Sequence, residues 1–176
     1  KESSRILGLF SKPANIRVRV KKDEQDIAIE FLNNVFHAMD IEVKTDINYN
    51  KEACQMDIEL SGDEMGILIG KRGITLDSLQ YLVSLVVNKN TENYIKVKLD
   101  TENYRERRKE TLENLARNLA HKVKRIHRPV YLEPMNPYER RVIHAALQKD
   151  KYVETHSEGE EPYRKVVITL KPGVDT

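Results

Sequence analysis

At 176 residues, with 33% charged and 39% hydrophobic side chains, the chain is long enough for one or two domains with real cores, and its composition is that of a folded rather than a disordered protein. No apolar run approaches the roughly 18 residues that a membrane-spanning helix needs. The single cysteine, Cys54, excludes an intramolecular disulfide and any cysteine-built zinc site and fits a reducing compartment, while a net charge of +2 is too small to name a partner by itself. The chain opens at Lys1 with neither an initiator methionine nor a signal peptide, and is expected to be a fragment or a processed chain.

Ile16-Arg-Val-Arg-Val20 alternates and predicts a strand. Over residues 23–40, Ile27, Ala28, Phe31, Leu32 and Val35 recur every three or four positions behind Asp23, Glu24 and Asp26, which predicts a helix. Two alternating runs, 41–47 and 54–60, predict a hairpin turning at residues 48–51, with Cys54 as a buried strand thiol. A short helix over 63–69, a glycine-flanked break at 70–73 and a helix over 74–88 burying Leu76, Leu79, Leu82, Val83 and Val86 come next, followed by a strand at 95–99. The second half opens with a helix over 102–126 whose apolar stripe is Leu112, Leu115, Ala116, Leu119, Val123 and Ile126. At 100° per residue, Arg107, Arg117, His121, Lys124 and Arg125 fall on the opposite side. An extended piece at 130–132, a helix over 137–148, and strands at 152–155 and 164–170 joined by a turn close the chain.

Charge is unevenly spread. Residues 1–100 carry 14 basic and 16 acidic side chains, whereas Tyr104–Arg128 alone carries nine Lys/Arg against three Glu. Such a local basic segment is the footprint of a phosphate-binding surface, or equally of a solvated helix face laced with i,i+4 pairs.

Ile69-Gly70-Lys71-Arg72-Gly73-Ile74 places two glycines across a break between two apolar helices. Gly70 is suited to end the first helix, and Gly73, lacking Cβ, lets a ligand backbone approach the start of the next one. The free amides and positive dipole end there attract phosphate, and Lys71 and Arg72 add two cations. Framed by three alternating strands, this stretch resembles the KH domain in its type II element order. In that family the GxxG loop clamps the backbone of a single strand. The resemblance carries over Gly70, Lys71, Arg72 and Gly73; Ile69 and Ile74 are expected in the core or in the apolar groove where the family's bases lie.

In Pro137-Tyr-Glu-Arg140-Arg141-Val-Ile-His144, Arg140 and His144 stand one helical turn apart, a spacing suited to a sugar–phosphate contact and also common as surface decoration. With Leu132-Glu-Pro-Met-Asn-Pro137 before it and Ser157-Glu-Gly-x-x-Pro162-x-Arg164 after it, the stretch resembles the R-3-H domain, which binds single-stranded nucleic acid. The resemblance implies Arg140 and His144 as contacts, with Arg141 and Arg164 as neighbours. A KH domain followed by an R-3-H domain, with Tyr104-Arg-Glu-Arg-Arg-Lys109 between them, resembles the bacterial Jag (SpoIIIJ-associated) family. The expected organisation is a remnant of a Jag-N-like domain at 1–20, a KH domain at 21–100 and an R-3-H domain at 101–176, α+β throughout.

That resemblance implies a cytoplasmic, non-catalytic protein that binds single-stranded RNA, regulates gene expression after transcription or the cell envelope and elongation, and partners a small single-KH protein. Single-stranded DNA and a protein-interaction scaffold stay open as alternatives. Arg107, Arg117, His121, Lys124 and Arg125 are expected to extend the nucleic-acid surface. No catalytic residue, cofactor or metal is expected: the carboxylates are scattered, and neither an HExxH nor a Walker A motif occurs.

Overall fold

The computed structural model describes residues 22–89 and 91–173, so the strand expected at 16–20 and the remnant expected at 1–20 lie outside the described residues. The first helix, α1 (Glu24–Ala38), starts at a capping box in which the Asp23 carboxylate accepts from the Asp26 amide at 2.8 Å. It buries Ala28, Leu32 and Phe36. Strands β1 (Lys44–Asn50) and β2 (Gln55–Ser61) form the hairpin, and Lys44 pairs with Ser61 at its open end. Its turn lies later than the alternation predicts, at Lys51–Cys54, because the Asn50 side chain accepts from the Ala53 amide at 3.0 Å and Cys54 adopts a left-handed φ of 48°. Cys54 is therefore a half-exposed turn residue rather than a buried strand thiol.

Helix α2 (Met65–Ile69) is followed by a single 3-10 turn, Lys71–Gly73, and by α3 (Ile74–Asn88). Strand β3 (Lys96–Thr101) then returns parallel to β2, giving a sheet of order β1-β2-β3. Met56, Ile58, Leu60, Val97 and Leu99 face the helices over one core. On α3 the buried residues are Leu76, Leu79, Val83 and Val87; Leu82, expected inside, is 47% exposed, Val86, also expected inside, is half-buried, and Ile74, expected in the core or the groove, is 61% exposed. The core-facing stripe of α3 thus runs through 76, 79, 83 and 87, and 74 and 82 lie off it.

Thr101 is buried, its hydroxyl donating to the Leu60 carbonyl at 2.7 Å, and left-handed Glu102 and Asn103 turn the chain sharply into α4 (Tyr104–Ile126). Strand β4 (Val130–Tyr131), helix α5 (Pro137–Leu147), and strands β5 (Val153–Glu158) and β6 (Lys165–Leu170) complete a second antiparallel sheet of order β4-β6-β5. Its core joins Leu112, Ala116, Val123, Ile143, Val153 and Ile168. The buried stripe of α4 also takes Ala120, while Leu115 and Ile126, expected inside, are 40% and 38% exposed.

The first turns of α4 bind the two units together. The Tyr104 ring lies where a Cβ on Gly73 would stand, 2.7 Å from that position. Arg105 donates to Asp77 at 2.7 Å, to Gln80 at 3.1 Å and to the Leu99 carbonyl at 3.1 Å, all in the first unit. Arg108 faces the other way, pairing at 2.8 Å with Glu139 of α5, which is 4% exposed.

Because Gly73 combines a φ of +79° with that close approach, Gly73→Ala must both strain the backbone and displace the Tyr104 ring. It is expected to lower stability in urea denaturation by roughly 2–4 kcal/mol. Gly66→Ala, where an added Cβ meets nothing within 4 Å, is the control and is expected to be neutral or to stabilise by up to about 1 kcal/mol.

Candidate nucleic-acid interface

The break between α2 and α3 is built on backbone conformations that favour glycine. Gly70 donates back to the Gly66 carbonyl at 2.9 Å and then leaves the helix at φ 67°, ψ −169°. This region is essentially closed to other residues, and a Cβ here would also lie 2.0 Å from the Thr75 hydroxyl oxygen. Arg72 takes a left-handed φ of 59°, an uncommon conformation for a side-chain-bearing residue. No side chain caps α3 at Gly73, although the Ile74 amide donates back to the Lys71 carbonyl.

The two cations of the turn have different surroundings. Lys71 is exposed, with no carboxylate partner among the described residues. Arg72 reaches into the second unit instead: it is ion-paired with Glu133 and donates to the Pro134 carbonyl at 3.1 Å. Two free cations are expected from the sequence, but one of them already has a carboxylate. The clear approach expected at Gly73 is likewise taken on one side by Tyr104.

On α5, the Asn136 side chain caps the helix by accepting from the Glu139 amide at 2.9 Å. Arg140 and His144 do share a flank, as their spacing requires, but both face inward. Arg140 is only 9% exposed and donates to the Met135 carbonyl at 2.8 Å and to Glu161 at 2.7 Å. His144 is half-buried, with Nδ1 at 2.6 Å from the Thr155 hydroxyl and Nε2 at 3.0 Å from the Ser157 hydroxyl, both on β5. Burial, and then the nearby Arg140 and His156, hold the imidazole pKa below its ordinary 6.5. Arg141 and Arg164 are exposed.

Of the expected basic face of α4, Arg107, Arg117, His121 and Arg125 are exposed, with Arg107 paired to Glu102 at 3.5 Å and Arg117 bonded to Asn114 at 2.9 Å. Lys124 departs from that face. It pairs with Asp150 at 2.7 Å and lies over the Tyr152 ring at 5.1 Å. Burial pushes the Asp150 carboxyl up, but the Lys124 hydrogen bond and the amides of Tyr152 and Val153 outweigh it, so the net shift is downward.

Arg72 ties the glycine turn to the loop before α5. Beside it lies a cleft of about 670 Å³ lined by Lys71 and Ile74 of the first unit and by Pro134, Pro137, Pro162 and Tyr163 of the second. The motif spacings place neither this cleft nor Tyr163 at the interface. The one sequence signal is that Glu133-Pro134 and Pro162-Tyr163 flank the Arg140–His144 helix. Among the described residues, no group of three or more His, Cys, Asp or Glu could hold a metal ion, and no helix is long and apolar enough to cross a membrane.

Comparison with known proteins bears on both units. Residues 25–99 match the KH domain of the KhpA/KhpB family, and residues 110–170 match the R-3-H domain. The chain is 66% identical over 171 residues to the RNA-binding protein KhpB of Clostridium symbiosum, covering 97% of this chain and 77% of that protein. It is 36% identical over 169 residues to the RNA-binding protein KhpB of Bacillus subtilis, covering 94% and 80%. Against the protein of that name from Lactiplantibacillus plantarum it is 32% identical over 161 residues, covering 90% of this chain and 49% of the relative.

The lowered pKa of His144 carries a sign for stability. The folded state resists protonating this ring, so its contribution is present above pH 6.5, the unfolded value, and is lost as pH falls through the lower folded value. In urea denaturation, the stability gap between the native chain and His144→Gln is expected to shrink on moving from neutral to mildly acidic buffer. A gap that stays constant or widens contradicts the inward, neutral imidazole.

Proposed function

The chain belongs to the KhpB family, with a KH domain followed by an R-3-H domain, and from that premise we propose that it binds single-stranded RNA without catalysing a reaction on it. One observation carries the reading: the glycine turn presents the exposed Lys71 beside an α3 N-terminus that no side chain caps. Backbone amides and a neighbouring ammonium together make a phosphate site. We take residues 21–100 as the KH module and 101–176 as the R-3-H module.

In this proposal Gly70 and Gly73 shape the turn, Lys71 holds a phosphate and Arg72 is a second cation that binding brings into use. The Arg72–Glu133 pair has side chains 30% and 73% exposed. With its carboxylate largely in water the pair is worth little, on the order of 1 kcal/mol, so a phosphate oxygen can compete for the guanidinium. In the R-3-H module, the exposed Arg141 and Arg164 supply further contacts, while Arg140 and His144, both facing inward, hold the loops and strand around them. Arg107, Arg117, His121 and Arg125 line a secondary, weaker surface.

A protein partner is proposed alongside. Tyr81, Leu82 and Leu85, 63%, 47% and 51% exposed, form an apolar face on α3 suited to a second small domain, and the small single-KH protein implied by the family resemblance fits that role. A regulatory role after transcription or in the cell envelope and elongation, and a cytoplasmic location, are proposed on the same ground.

Fluorescence anisotropy with a labelled single-stranded RNA, at two salt concentrations, tests the reading. Binding is expected to weaken as salt rises, with a log–log slope near −0.7 for each phosphate contacted. Lys71→Asp is expected to weaken it by about tenfold. Glu133→Gln, which releases Arg72 and removes a carboxylate from the site, is expected to tighten it. Binding that ignores both substitutions, or an absence of binding, overturns the assignment; equal affinity for the matching DNA strand removes the preference for RNA.

A further inference from the structure

The cleft between the modules has the two features that single-strand binding requires: a cation to follow the backbone and an aromatic face on which a base can stack. The cation is Lys71. Three carboxylates also line the cleft, but each is matched by an arginine: Glu133 by Arg72, Glu139 by Arg108 and Glu161 by Arg140. The exposed ammonium of Lys71 is therefore the charge left without a counterion among the described residues of the cleft.

The aromatic face is Tyr163. At 76% exposure it is the most solvent-open large apolar side chain among the described residues, and Ile74, 61% exposed, lines the same cleft. Its loop is tied down on both sides. The Tyr163 amide donates to the Glu160 carbonyl at 2.8 Å, Glu161 is held by Arg140 at 2.7 Å, and the Arg164 carbonyl accepts from the Met135 amide at 3.2 Å. Because the backbone is anchored, covering the ring with a base costs side-chain freedom but little backbone freedom. The cleft's 670 Å³ lies within the range of pockets that enclose small organic ligands, which leaves room for a nucleoside between the walls.

We infer that Tyr163 is a base-stacking residue of one cleft shared by the KH and R-3-H modules. A strand whose phosphate rests at Lys71 lays an adjoining base on the Tyr163 ring, against the apolar wall of Ile74 and the prolines. The inference rests on the RNA-binding reading above and adds to it an aromatic contact and a path for the strand. It also gives the Arg140–Glu161 pair a positioning role, since that pair holds the loop bearing the ring.

The test combines affinity with location. A single-stranded RNA carrying 5-iodouracil is photocrosslinked to the full chain and the crosslinked peptide is mapped, while anisotropy is measured for Tyr163→Ala, Tyr163→Phe and Lys71→Asp. Thermal unfolding of each variant confirms that it folds. Tyr163→Ala is expected to weaken binding roughly five- to 150-fold, the range for loss of one stacked base, and Tyr163→Phe to stay within about twofold. The crosslink is expected in the peptide containing Tyr163. If Lys71→Asp weakens binding while Tyr163→Ala does not, or if the crosslink maps only elsewhere, the shared cleft is wrong and RNA binding at the glycine turn survives. If Tyr163→Phe loses as much as Tyr163→Ala, the hydroxyl and not the ring face is responsible, and stacking is overturned. If the native chain binds no RNA, both readings fall.

Discussion

The absence of a side chain at Gly73 is what allows the two modules to meet as they do. The Tyr104 ring fills the volume that a Cβ would need, at the first residue of the long helix that begins the second module. From that contact the next helical turn acts as a rivet, with Arg105 bonded into the first module and Arg108 into the second. A helix whose first residue packs on a glycine-bounded turn and whose next turn is clamped on both flanks has little freedom to pivot. The glycine turn is therefore held beside the loops that precede α5 and β6, and the cleft between them follows from that placement.

Charge is distributed in keeping with this arrangement. Much of the arginine in the seam serves structure: Arg108 partners a buried glutamate, Arg140 holds a loop, and Arg105 satisfies a carbonyl, a carboxylate and an amide oxygen. Buried or half-buried pairs of this kind are costly to break, because the partner left behind has lost its water. The Arg72–Glu133 pair differs on one side only: its guanidinium is half-buried, but Glu133 is open to water. The interface thus combines cations committed to packing with a few that remain exchangeable, as a surface needs if it is to be rigid and also to bind a polyanion. The same pattern explains why the segment richest in basic residues, α4, is not simply a phosphate-binding face: Lys124 is drawn to Asp150, and Arg107 and Arg117 have neighbours on their own helix or just before it.

Local signals in the chain are a good guide to local structure. Helix α3 occupies the 74–88 window that its periodicity and the preceding glycine predict. The hairpin turn falls later than expected because alternation continues through Asn48 and Asn50, and the deciding factor is a hydrogen bond to the Asn50 side chain that a hydropathy pattern does not register. Leu82, Leu115 and Ile126 lie outside the core for another reason. A helix with apolar residues on more than one side has no internal indicator of which side a partner will cover, and here Ala116 and Ala120 rather than the larger leucine at 115 set the contact face.

By itself, the sequence determined the order of helices and strands, the glycine-bounded turn and the helical pairing of Arg140 with His144, because each depends on residues within a few positions of one another, through backbone conformational preference and helical periodicity. Only the tertiary structure decided which charges are free. Arg72 is separated from Glu133 by 61 positions, Arg108 from Glu139 by 31 and Arg140 from Glu161 by 21, and no local pattern links such partners. Whether a guanidinium faces water or a carboxylate depends, for Arg108 and Arg140, on packing within the second core, and for Arg72 on how the two cores are docked. That docking was settled by shape, through a tyrosine ring seated on a bare glycine.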